Sequence, residues 1–533
     1  MAINRFLILL LCFPISLFSQ DRYFVSFKDK VNTPYSVSNS LQFLSQKCID
    51  RRAKENFITN NEDLPVDPAY VAQVKMIGAS VFFTSRWFNG VLIQANASIA
   101  SAVLALPFVS KVEFVAPGTK LIGGRKASTD KFERVDGVNG LQNQLQLEMI
   151  GLDKMQSAGY HGEGIDVAVF DAGFIGVNTL PAFQAIYQEG RIKSVFNFVN
   201  NSKNVYSAFD HGTEVLSTIA GNVSSTYLGG AYKANFFLYQ TEDAGSEYRI
   251  EEYNWLFAAE RADSAGVYVI NSSLGYNTFD DPNMDYTYKD LDGKTSVVSC
   301  AAYKAFERGI VVVNSAGNEG DNSWKYIDVP ADAEGVIACG AVNNLGYRSS
   351  FSSIGPSADG RTKPDVSAMG DGDAVISTSG SIVYGSGTSF SSPLIACLVI
   401  GLRQALPQAS AKEIYQRVIN STSQINRPDN LLGYGIPNFT LAKDFLDFSD
   451  EFQSYPNPVS DGWLKIIFRD PQNQIFGVTI FNSAGQKVFE LSDSISWKNN
   501  PYAVDLSTLA RGLYLVKVQT PTSTKTIRIV SIN

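Results

Sequence analysis

Hydrophobic and polar positions along the chain change rhythm four times. The first twenty residues open with Arg5, run apolar from Phe6 to Phe13, and break at Pro14, Ser16 and Ser19. An apolar run of that length behind a positive charge has the pattern of a secretory signal, residues 1–20. It is shorter than the roughly 20 apolar residues that cross a bilayer, and no later run is long enough. Cys12 lacks a small residue before it, which argues against lipid attachment there.

Residues 21–118 alternate short strands and helices. Tyr23–Phe27, Val81–Phe83, Gly90–Ile93 and Val109–Val115 read as strands. Leu41–Asn56 has helical spacing and a basic end, which the helix dipole favours, and Ile99–Leu106 is a small-residue helix. The order strand, helix, strand, strand, helix, strand predicts a small α+β unit. Residues 119–140 are polar and carry Lys120, Arg125, Lys126, Lys131 and Arg134, the pattern of an exposed linker open to proteolysis.

From 141 to 447 the period changes. Ile165–Phe170, Asn235–Tyr239, Val267–Asn271, Ile310–Ser315 and Val336–Gly340 are short apolar runs. Helical stretches such as Arg249–Ser264 and Val297–Arg308 separate them. Continuous apolar strands alternating with helices predict an α/β domain, a parallel sheet flanked by helices on both faces. Residues 453–533 are all-β in pattern. Trp463–Phe468, Gly477–Phe481, Gln486–Leu491, Tyr502–Leu506, Leu513–Val518 and Lys525–Val530 are divided by turns such as Asn482-Ser-Ala-Gly485, which predicts a β-sandwich.

Composition narrows the chemistry. The 533 residues suffice for about three domains. Net charge is −8, from 44 basic and 52 acidic residues, which argues against a nucleic-acid partner. There are two histidines, His161 and His211, and five cysteines with no CxxC pair, so a Cys/His metal site lacks ligands. No metal ligand and no disulfide is assigned.

Three motifs sit where strands of such a sheet would end, the place where function gathers in α/β domains. Val167-Ala-Val-Phe170 leads into Asp171-Ala-Gly173. His211-Gly-Thr213 opens a small-residue helix, whereas His161 sits in a Gly-rich turn. Gly387-Thr-Ser389-Phe-Ser-Ser-Pro393 precedes an apolar helix, so Ser389 lies where free N–H groups favour negative charge. Asp, His and Ser in that chain order suit a nucleophile, a base and the carboxylate that orients the base. Ser391 fills the last glycine position of a G-x-S-x-G elbow, which counts against a lipase or esterase. A fourth motif, Ala316-Gly-Asn318, follows an apolar strand and could supply an amide donor to an oxyanion.

Asp171-x-Gly, His211-Gly-Thr, Ser273-Leu274-Gly275, Ala316-Gly-Asn318 and Gly387-Thr-Ser389-x-Ser-x-Pro393, in that order, resemble the subtilisin-like serine peptidases (family S8) over about residues 145–445. The resemblance implies a secreted endopeptidase acting on peptide or protein substrates. Asp171 would orient His211, His211 would be the general base, and Ser389 the nucleophile. Asn318 would help hold the oxyanion, and Ser273, Leu274 and Gly275 would form an edge that pairs with substrate backbone. Ala172 departs from the family, which usually has Ser or Thr after the catalytic Asp. These residues establish no cofactor, and the resemblance leaves calcium open. Calcium is common in the family, but the acidic run Asp280, Asp281, Asp285, Asp290, Asp292 matches no calcium loop and reads as solvated.

Arg51-Arg52 and Asp63-Leu-Pro-Val66 resemble the propeptides of such peptidases in Bacteroidetes, which implies an intramolecular inhibitor over 21–118. Tyr455-Pro-Asn-Pro458 and Asp505-Leu-Ser-x-Leu-x-x-Gly512-x-Tyr514 resemble a type IX secretion sorting domain. That implies a contact with the secretion machinery and delivery outside the cell or onto its surface.

Overall fold

The structure, a computed structural model, describes residues 20–118, 131–133, 141–425, 427–444, 452–455, 457–460, 462–468, 474–496, 502–521 and 523–532. The signal reading at the N-terminus, and the linker reading apart from 131–133, fall outside these residues.

The N-terminal unit is a four-stranded antiparallel sheet of β1 (Asp21–Phe27), β2 (Ser80–Ser85), β3 (Gly90–Ala95) and β4 (Val109–Ala116), in the order β2-β3-β1-β4. Its helix α1 (Gln46–Lys54) is shorter than the hydrophobic spacing suggests. The Ser45 hydroxyl accepts from the Cys48 N–H at 3.1 Å and restarts the chain as a helix there; a 3-10 turn, Val37–Gln42, precedes it. A helix over Pro68–Met76, opened by Asp67 and Pro68, has no counterpart in the sequence reading.

The central sheet has seven parallel strands: β5 (Asp166–Asp171), β6 (Ile192–Asn197), β7 (Asn235–Gln240), β8 (Val269–Ser272), β9 (Val311–Ser315), β10 (Ile337–Val342) and β11 (Val366–Met369). Their order is β11-β10-β9-β8-β5-β7-β6. Every residue of β5 is buried, and side chains along it alternate between two cores. Val167 and Val169 join the core that holds α2 (His211–Ala220) and α5 (Thr388–Ala405). Ala168 and Phe170 join the core of α3 (Ile250–Ala265) and α4 (Val297–Glu307). Burying a side chain such as Phe170 or Val169 contributes about 1.5–3 kcal/mol. The end of β5 is therefore a rigid platform.

The N-terminal sheet sits on the α3/α4 side. Phe24, Trp87 and Leu92 belong to the same core as Trp255 and Val298, and the Phe24 ring stacks on Tyr253 at 4.3 Å. The opposite faces of β1 and β3, with Val25, Phe27, Val91 and Ile93, form the unit's own core. The C-terminal region is a three-stranded and a four-stranded antiparallel sheet around Leu464, Ile466, Val478, Ile480, Val516 and Val518.

Candidate active site

Asp171 is the last residue of β5 and is fully buried. Its Oδ1 and Oδ2 lie 2.9 and 3.0 Å from His211 Nδ1, and the Ala172 N–H donates to Oδ1 at 2.8 Å. His211 is the first residue of α2, and its side chain is 16 % exposed. This approach requires glycine at 212: a Cβ there would lie 2.3 Å from the Gly173 carbonyl oxygen and 2.8 Å from Asp171 Cβ. The ring thus reaches the carboxylate without a side chain between strand end and helix start. Thr213 Oγ1 donates to the Ile175 carbonyl at 2.7 Å and fixes the helix end from the other side.

Ser389 occupies the first turn of α5 and is 6 % exposed. Pro393 stands four residues on and has no N–H to donate to the Ser389 carbonyl. Ser273 Oγ donates there instead, at 3.0 Å. The proline inside the helix thus creates the acceptor that ties the end of β8 to Ser389. Trp255 Nε1, donating to Ser272 Oγ at 3.0 Å, anchors β8 from α3.

Asn318 follows β9 through Ala316 and Gly317. Its Oδ1 accepts from the Thr388 N–H at 2.8 Å and from Thr388 Oγ1 at 3.0 Å, and the Gly317 N–H donates to Thr388 Oγ1 at 3.2 Å. These bonds fix the amide's orientation: its oxygen is held by the nucleophile-bearing helix.

One cleft brings together His211, Ser273, Leu274, Gly275, Asn318 and Ser389, with Ala172 beside them. All seven sequence-predicted site residues are thus near one another: Asp171 lies buried behind His211 and the rest line the cleft. The ladder of β8 ends at Ser272, and Ser273–Gly275 continue past it outside any ladder of the described residues. Leu274 O accepts from Asn314 Nδ2 at 2.9 Å, which ties this segment to β9. His161 is placed in a surface turn, with Nδ1 3.2 Å from Glu163.

The cleft also holds residues that the motifs do not reveal. Glu242, Asp243, Glu247, Glu319 and Asp328 line it. Burial, reinforced by Glu319, pushes the Asp328 carboxyl up to about 8. Burial also raises Glu242 to about 8; its Tyr276 hydroxyl donor opposes the rise, while Asp171 and Asp243 add to it. These residues come from loops after β7 and β9 and carry no local signature.

The acidic run that sequence left as solvated spends its oxygens on turns. Asp281, Asp285, Asp290 and Asp292 accept from the N–H groups of Asn283, Phe279, Thr287 and Lys294, and Asp280 from Glu247. That is a set of backbone caps and a poor fit to a calcium ion. Among the described residues the carboxylates that do converge are Glu242, Glu247 and Glu251, whose oxygens lie within 4.8 Å of one another. Cys48, Cys300, Cys339 and Cys397 are free thiols.

The subtilase family profile matches residues 162–435, the S8 propeptide domain of Bacteroidota residues 22–132, and the secretion system C-terminal sorting domain residues 453–533. Subtilisin DY of Bacillus licheniformis is 30% identical over 300 residues, 56% of this chain and 97% of that protein. Subtilisin E of Bacillus subtilis is 31% identical over 256 residues, 47% of this chain and 58% of that protein. The thermostable alkaline protease of Halalkalibacterium halodurans is 27% identical over 294 residues, 54% of this chain and 70% of that protein. The sorting domain marks an exported protein, delivered by type IX secretion to the outside of the cell or its surface, and no helix among the described residues is long and apolar enough to cross a membrane. With its parallel sheet, its propeptide and its sorting domain, the chain belongs to the subtilase family of serine endopeptidases.

Proposed function

We propose that the chain hydrolyses peptide bonds through an acyl-enzyme on Ser389. The observation that carries this reading is the Asp171–His211 pair, 2.9 and 3.0 Å, opening on the same cleft as Ser389 and Asn318. Ser389 Oγ attacks the scissile carbonyl carbon, and its proton passes to His211 Nε2. Asp171, bonded to Nδ1, keeps the ring in the tautomer whose Nε2 accepts, and stabilises the imidazolium once formed. The carbonyl oxygen becomes an oxyanion beside the Asn318 amide and the Ser389 N–H, which has no intrahelical acceptor in the first turn. The imidazolium returns the proton to the leaving amine as the C–N bond breaks. Water then repeats the sequence on the ester and releases the acid. Ala172 in place of a hydroxyl residue leaves this scheme whole, because its contribution is a backbone N–H.

The propeptide acts as an intramolecular inhibitor that is cut away in maturation. Supporting this, the unit shares a buried core with α3 and α4, as an assembly that forms before release would. The test is hydrolysis of a casein or peptide substrate by wild type and by Ser389→Ala. Loss of turnover by about 10⁶-fold in the variant, with the fold unchanged, is the expected result. Equal turnover by the two proteins would remove Ser389 from the mechanism.

A further inference from the structure

Among the described residues, the cleft beside Ser389 is lined by five carboxylates, Glu242, Asp243, Glu247, Glu319 and Asp328, and by no lysine or arginine. Asp328 is the most deeply set, 5 % exposed. Asn277 Nδ2 donates to its Oδ1 at 2.6 Å, and its own N–H donates to the Ala316 carbonyl at 3.0 Å. Two glycines make room for it. Gly317, at φ +110°, would place a Cβ 2.3 Å from Asp328 Oδ2, and Gly275 would place one 2.7 Å from Asp328 Cβ. These glycines belong to Ser273–Gly275 and to the turn leading to Asn318. The carboxylate therefore closes a slot whose two walls are nearly bare backbone.

Chemically, the slot calls for a cation on a long apolar stem. An ionised carboxylate offers about four acceptor positions, and a buried one with few donors is costly until a cation meets it. Lysine and arginine carry such a charge at the end of an unbranched methylene chain. The opposite side of the cleft is acidic as well. Behind Glu242 and Glu247 lies Glu251, 1 % exposed; oxygens of the three carboxyls lie within 4.8 Å of one another, and burial raises the Glu247 and Glu251 carboxyls, which share a hydrogen bond, well above the usual range. The chain's own sequence supplies a substrate of this chemistry: the segment joining propeptide to peptidase contains Lys120, Arg125, Lys126, Lys131 and Arg134.

We propose that this slot receives the Lys or Arg side chain of the substrate residue whose carbonyl Ser389 attacks, and that Asp328 is the carboxylate that selects it. The proposal rests on the serine-peptidase reading and names its substrate class: polypeptides cut after basic residues, the chain's own linker among them. Asp328 is a specificity residue and takes no part in the proton transfers.

The experiment uses the full chain, exported and matured, and peptides that differ only at that one position: Lys, Arg, Phe, Leu or Glu. The expected order of kcat/KM is Lys and Arg above Phe and Leu by at least about 10-fold, with Glu last. Asp328→Asn, which keeps the shape, should cut the Lys-to-Phe ratio by roughly 10²-fold. The wild-type order decides alone if the variant fails to fold. A wild type that favours Phe or Leu overturns the slot while the peptidase reading stands. A wild type that cleaves no member of the panel overturns both.

Discussion

Pro393 and Ser273 show how single residues set this site. The proline withholds a donor from the Ser389 carbonyl, and a hydroxyl from a different strand end supplies it, at 3.0 Å. Gly212 does comparable work by having no side chain, so that His211 can lie on Asp171. The convergence of Asp171, His211, Ser389 and Asn318 was legible in the sequence because each ends or closely follows an apolar strand, or lies in the first turn of a helix, within a recognisable motif. Asp328 was not. It lies in irregular chain after Asn318, and its position follows only from two glycines on separate segments packing beside it. Its titration yields a prediction at this scale. Burial and Glu319 raise the carboxyl to about 8, so in the free enzyme it is neutral below that pH and anionic above it. The other charged and titratable groups facing the cleft are Glu242, Asp243, Glu247 and His211. Ionisation of His211 affects every substrate alike, so the ratio of kcat/KM for Lys over Phe removes it. Glu242, also raised to about 8, titrates in the same range, so Asp328→Asn is the comparison that separates Asp328. The ratio should rise as pH passes upward through about 8 in wild type and rise less steeply in Asp328→Asn; equal profiles for the two proteins would count against the Asp328 carboxylate as selector.

At the scale of elements, sequence periodicity located strands that are apolar along their whole length and missed those that are not. Ile165–Phe170 and Asn235–Tyr239 correspond to β5 and β7 within a residue at either end. β6, at the sheet edge, is mostly half-exposed and interleaves Lys193 and Ser194 with its apolar residues; β11 is only four residues long. Neither gives a run to read. The predicted helix Arg249–Ser264 corresponds to α3, Ile250–Ala265. One buried face of α3 carries acids that apolar spacing cannot explain, and the docked propeptide does. Asp263 is fully buried and meets Arg51, Arg52 and Arg86; the Arg52 bond is 2.6 Å. Glu260 accepts from the N–H groups of Arg86 and Trp87 at 2.9 and 3.2 Å. Burial alone would raise the Asp263 carboxyl, but Arg52, Arg86 and Arg51 outweigh it and hold it well below the usual range. A lowered carboxyl contributes stability that is present above the ordinary value of about 3.9 and is lost only as pH falls through the still lower folded value. Mild acid should therefore leave the propeptide docked. Asp263→Ala takes the shared carboxylate from three buried guanidinium groups, leaving Arg52 with Asp63, Arg86 with Glu260 and Arg51 with backbone carbonyls, and should cost the precursor about 3–5 kcal/mol. Urea unfolding of the uncleaved Ser389→Ala precursor, with and without that change, measures it. A difference below about 1 kcal/mol would mean that the apolar contact alone carries the docking.

For the molecule as a whole, three units follow one another along the chain: a sheet docked on α3 and α4, the parallel sheet that positions the cleft, and a β-sandwich with a separate core. Such an order suits a peptidase exported as a precursor, whose propeptide is removed once the fold is complete. The basic linker and the acidic cleft make the chain's own junction a fitting first substrate. The intact mass of the exported wild-type protein, beside that of Ser389→Ala, tests this account most directly. Wild type should lose its N-terminal unit by cleavage after a basic residue of the segment 119–140, while the variant keeps it. Identical processing of both proteins would contradict it, because Ser389 would then not be the nucleophile that matures this chain.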